Sequence, residues 1–93
     1  MKDEKAFIRS LIQFFLNHLN EPKLLFEVYS LLYQLGVDIF ELYERYGGER
    51  STLWEFVDYI SFDPIEYPSN YPVPQLEEDV VKDLKTFLER TDS

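Results

Sequence analysis

The sequence contains no cysteine, only one histidine and three glycines, and no unbroken apolar run longer than three residues. Without cysteine there can be no disulfide framework, no zinc–thiolate site and no thiol nucleophile. A membrane-spanning helix needs about 20 apolar residues, and none is expected here. Near the start, Lys2, Lys5 and Arg9 are interleaved with Asp3 and Glu4, and no apolar secretory segment or small-residue cleavage site follows. These absences predict a cytoplasmic protein. Basic residues are also scarce, 9 against 18 acids, for a net charge of −9. Neutralising phosphates requires a basic face, so neither direct nucleic-acid binding nor attachment to an anionic membrane is expected.

What is present describes a folded chain. With 93 residues, residues 1–93 should form a single helical domain, because two domains would each fall below about 50 residues. Hydrophobic content of 45% with 29% charged residues is ordinary for a packed protein and argues against disorder.

Hydrophobic periodicity is helical throughout, and no alternation of strand type competes with it. From Asp3 to Leu19 the apolar positions Phe7, Ile8, Leu11, Ile12, Phe15, Leu16 and Leu19 share one broad arc, opposite Arg9, Ser10, Gln13 and Asn17. Asn20 is placed as the N-cap of a second helix with Pro22 in its first turn. That helix, about residues 21–35, is apolar almost all round, which predicts a central position in the bundle or, alternatively, a second face buried in a dimer. Gly36 reads as its stop. Asp38 with Glu41 has capping-box spacing, and Val37 with Leu42 has that of a hydrophobic staple. Gly47-Gly48 suits a left-handed C-cap. Thr52 with Glu55 repeats the capping-box spacing and opens a helix whose stripe is Leu53, Phe56, Val57 and Ile60, closed by Asp63-Pro64.

Three of the five prolines, Pro64, Pro68 and Pro72, fall within residues 62–73 and predict an ordered loop packed through its aromatics. Pro74 suits the first position of a last helix with the stripe Leu76, Val80, Leu84, Phe87 and Leu88. The fold class expected is all-α: a compact bundle of four to five helices with a proline-rich loop before the last helix.

Groups that could carry chemistry are sparse. His18 lies near the apolar arc of the first helix, and no Glu-x-x-His spacing reaches it, which excludes a di-iron bundle site. Glu41 with Glu44, or Glu77 to Asp79, lack the glycine and spacing of a calcium loop and read as capping and dipole residues. Gly47-Gly48 lacks the Lys-Ser/Thr of a phosphate loop. None of the serines has a recognisable base. No enzymatic activity, cofactor or metal is expected.

The distribution of charge says more than its total. Residues 1–37 balance four acids with four bases, and residues 82–93 balance three with three. Residues 38–81 hold eleven acids against Arg45 and Arg50, and nine of the sixteen aromatics. An acidic field mixed with tyrosines suits a basic protein partner, because carboxylates steer the encounter and tyrosines supply contact area. The alternative is a solvated acidic face kept for solubility. The candidate partner-binding residues are Glu55, Asp58, Tyr59, Asp63, Glu66, Tyr67 and Tyr71.

The segment Asp58-Tyr59-Ile60-Ser61-Phe62-Asp63-Pro64 is similar in kind to small acidic four-helix immunity proteins, which neutralise nuclease bacteriocins through a short helix carrying Asp and Tyr before a proline. The likeness covers seven residues together with helix order and charge. The spacing before the proline differs, and the preceding helix lacks an acidic face. It implies only that such a surface suits neutralising a basic protein. The reading is therefore a small acidic binding module of inhibitor, immunity or antagonist type, its partner a basic protein, with a nucleic-acid-binding protein as one variant. The rival is a homodimeric helical structural protein or complex subunit.

Overall fold

The computed structural model describes residues 3–62 and 75–92, and within them five helices and no strand. They are α1 (Glu4–Asn17), α2 (Pro22–Gln34), α3 (Ile39–Arg45), α4 (Arg50–Ile60) and α5 (Glu78–Thr91). The all-α helical bundle expected from periodicity is the fold observed. The candidate residues Asp63, Glu66, Tyr67 and Tyr71, the proline loop and Pro74 lie outside the described residues.

α1, α3, α4 and α5 contribute their apolar stripes to one core, and α2 adds Leu25. Ile8, Leu11, Ile12 and Phe15 come from α1, Ile39, Leu42 and Tyr43 from α3, and Leu53, Phe56, Val57 and Ile60 from α4. Val80, Leu84 and Phe87 complete it from α5. The ring of Phe15 lies 5.0 Å from that of Phe56, and the ring of Tyr43 lies 4.4 Å from that of Phe87. α4 is the hub: it packs against α2, α3 and α5, while α1 packs against α3 and α5.

The central position expected for α2 is therefore wrong. Of its thirteen residues only Leu25 is buried, and Leu31 and Tyr33 are largely exposed. Apolar residues all round a helix do not say which side is covered. α2 packs mainly on α4, so the line through Leu25, with Val28, Tyr29 and Leu32 half-buried beside it, takes up its inner edge and leaves Leu31, Tyr33 and Leu35 outside.

Two turns share one device. Gly36 and Gly47 have φ of +80° and +100°, a region where a Cβ is costly. At the first, the N–H groups of Gly36 and Val37 donate to the carbonyls of Tyr33 and Leu32. At the second, those of Gly47 and Gly48 donate to Glu44 and Tyr43. Both are Schellman closures, which satisfy carbonyls orphaned at the helix end.

The start signals fared unevenly. Asp38 caps α3, its Oδ1 accepting from Phe40 N and Glu41 N. The reciprocal half of the box is not made, because Glu41 turns to Arg45 at 2.6 Å. Asn20 is not the cap of α2; Glu21 is, since the residue before a proline is held out of the helical region. Thr52 lies inside α4, whose N-cap is Glu49. α5 begins at Glu78 rather than near Pro74, with Glu78 and Asp79 in the first turn where the helix dipole favours them.

Polar clasps join helices distant in sequence. Arg9 donates to Thr91 Oγ1 at 3.0 Å and to the Leu88 carbonyl at 3.3 Å. Arg90 donates to the Gly47 carbonyl at 2.8 Å. Arg45 bridges Glu4 and Glu41, each at 2.6 Å.

Candidate functional site

The hub position of α4 leaves it a single exposed face. Its stripe Leu53, Phe56, Val57 and Ile60 is buried as the spacing predicts, so Arg50, Trp54, Glu55 and Asp58 project outwards. Trp54 is 61% exposed. Tyr59, at the margin of the stripe, is half-buried with its ring 6.5 Å from that of Phe56.

A depression borders each edge of this face. On the side of α5, Glu55, Asp58 and Tyr59 meet Leu76, Glu77 and Val80 around a volume of about 230 Å³. Three of the expected partner-binding residues are thus brought together, and Glu77 joins them. Among the described residues neither Glu55 nor Asp58 has a cationic partner, whereas Arg45 and Arg50 are engaged by Glu4, Glu41 and Glu44. The acidity of the middle segment is therefore uncompensated at this edge. Among the described residues no three His, Asp or Glu side chains are grouped to hold a metal ion.

On the side of α2 lies a larger depression of about 570 Å³, lined by Tyr29, Tyr33, Asp38, Phe40, Arg50 and Trp54 among others. Its floor is a row of rings. Centroid separations are 6.4 Å from Tyr33 to Tyr29, 6.3 Å from Tyr29 to Phe40 and 5.6 Å from Phe40 to Trp54. These are ordinary aromatic packing distances, so the rings form a continuous shelf rather than a cage around a cation. The Arg50 guanidinium already lies 5.8 Å from the Phe40 centroid and is also paired with Glu44. The Gly36 closure and the Asp38 cap create this shelf by turning α3 so that Phe40 meets Tyr29. Burial, followed by the nearby Tyr33 and Asp38, raises the pKa of the Tyr29 phenol, which remains a neutral donor.

Sequence reading missed the shelf. The available signal was Trp54, which spacing puts off the apolar stripe of an amphipathic helix, where a large ring is otherwise unexplained. His18 is accounted for by packing: its Nδ1 lies 2.7 Å from Glu21 Oε2 and its ring 4.4 Å from Phe14, at the corner between α1 and α2.

No family model, no curated protein and no solved structure matches this chain. No helix among the described residues is long and apolar enough to cross a membrane.

Proposed function

We propose that this protein is a binding module of inhibitor, immunity or antagonist type that docks the exposed face of α4 onto a basic protein partner. One observation carries the reading: Trp54, 61% exposed, stands on the same helix face as Glu55 and Asp58, whose charges no described cation offsets. Exposed tryptophan is the residue type most often found as an interface anchor. Unpaired carboxylates around it would steer a cationic surface and set its orientation, acting chiefly on the association rate. The shelf of Tyr29 and Phe40 beside Trp54 would extend the contact, and the depression at Tyr59 would bound it. A partner that itself binds nucleic acid would be blocked if this acidic face took the place of phosphates.

The test begins with capture of partners at low salt, followed by binding kinetics on the purified pair. Trp54→Ala should weaken binding at least tenfold, about 1.4 kcal/mol or more. Asp58→Lys should slow association and flatten its salt dependence. Both variants should melt cooperatively, since neither side chain is in the core. A pair in which Trp54→Ala binds as tightly as the parent would remove α4 from the interface. Competition by duplex DNA would place the docking site on the partner's nucleic-acid surface.

A further inference from the structure

We infer that two copies of this chain pair through α2, a contact separate from the α4 face and independent of the proposed docking. The first ground is spacing. Leu24, Val28, Leu31 and Leu35 follow one another at intervals of four, three and four, which is the seam a facing helix needs for knobs-into-holes packing. The second is exposure. Leu24 is 36% exposed, Leu31 57% and Leu35 69%, while Val28 is half-buried at the margin of the core. Within the described fold Leu31 and Leu35 stay mostly uncovered and Leu24 about a third so, while α2 packs mainly on α4 along the line of Leu25.

Charge selects the occupant. Two molecules of net charge −9 repel wherever their middle segments approach. α2 carries only Lys23 and Glu27, one of each sign, and so offers an apolar strip with no net charge. A second copy can approach there with least repulsion, whereas a strongly basic partner would find no complement. The seam is also self-complementary. In an antiparallel pair about a twofold axis, Leu24 of one copy faces Leu35 of the other, and Val28 faces Leu31, so both halves are the same surface.

Geometry leaves the other face free. Successive helical residues are 100° apart, so Leu31 and Tyr33 point to nearly opposite sides of α2. Tyr33 belongs to the aromatic shelf and Leu31 to the seam. A pair formed on the seam would carry two outward α4 faces, and thus two docking sites. The seam spans only about 16 Å along the helix axis, which sets the contact at the small end of specific interfaces and the expected dissociation constant near the micromolar range.

Sedimentation equilibrium on the intact chain tests this across roughly 2–300 μM at low and moderate ionic strength, chosen to bracket strong and weak screening. The dimer fraction should rise with concentration and rise further with salt, since screening relieves repulsion without weakening apolar contact. Leu31→Asp should lower the association constant at least tenfold, and Leu35→Ser, at the most exposed seam position, should lower it severalfold. Trp54→Ala should leave it unchanged. Far-ultraviolet circular dichroism of each variant checks that the helices persist. A chain monomeric at every concentration and both salts would overturn the inference, as would a dimer that survives both seam variants in folded form. Salt weakens docking to a basic partner and strengthens this pairing, so the two readings stand or fall separately.

Discussion

Tyr43 ties α3 to α5 and to the glycine turn that follows α3. It is fully buried, its ring packs on Phe87, and its hydroxyl donates to Asp83 Oδ2 at 3.2 Å, joining α3 to α5. Gly48 lies against the same ring so closely that a Cβ there would overlap it. The second glycine of Gly47-Gly48 is thus required for space, while the first is required for its left-handed turn. Burial, followed by the Asp83 charge, holds the phenol pKa well above its usual value near 10. An unfolded chain releases that proton near pH 10 and the folded chain retains it. Above pH 10 the folded state therefore binds more protons, and stability falls as pH rises. The stabilisation is complete below pH 10 and drains away on the alkaline side. Tyr43→Phe should lose about 1 kcal/mol near pH 8, where the hydrogen bond to Asp83 is missing. Its melting temperature should then fall less steeply than the parent's in thermal scans through the alkaline range. Parallel declines would show that Tyr43 does not govern the alkaline limb.

α4 and α2 show what periodicity can and cannot tell about an element. The stripe of α4 was fully legible, because Leu53, Phe56, Val57 and Ile60 stand against polar residues that mark the outside. α2 has no such contrast, so its sequence left the covered side open, and the neighbour that decides it, α4, is sixteen or more positions away along the chain. The start signal of α4 failed for a related reason, while that of α3 at Asp38 held. Thr52 and Glu55 have capping-box spacing, but the tight closure at Gly48 lets α4 begin before Thr52 is reached. The site divides the same way: Glu55, Asp58 and Tyr59 come from one helix and were readable, while Tyr29, Phe40 and Trp54 come from three helices and meet only in the fold. The two leucines of α2 make the distinction measurable. Leu25→Ala should cost about 2–5 kcal/mol, as for a buried leucine, and Leu31→Ala below about 1 kcal/mol in the monomer. Denaturant titration at low protein concentration separates them, and equal losses would mean that α2 is buried on both sides.

At the scale of the whole molecule, the excess of acids works against stability. The acids of residues 38–81 exceed the bases by nine, and the two arginines there are already committed to Glu4, Glu41 and Glu44. Among the described residues Glu55, Asp58 and Glu77 border one depression without a cation, so the fold brings like charges together that the unfolded chain holds further apart. Salt should therefore stabilise the monomer. Since α2 pairing would also strengthen with salt, the measurement belongs in a Leu31→Asp background at low protein concentration. There the melting temperature should rise by a few degrees, roughly 1 kcal/mol, between low and moderate ionic strength, as screening takes effect. The double variant Glu55→Lys with Asp58→Lys should start higher at low salt and respond less, because it removes repulsion at the least compensated edge of α4. The same variant should bind a basic partner more weakly. Gaining stability while losing binding is the mark of surface charge kept for function rather than for folding. If the double variant were no more stable at low salt, the two carboxylates would not be sources of strain. Their lack of cationic partners would then carry no weight as a sign of a docking face.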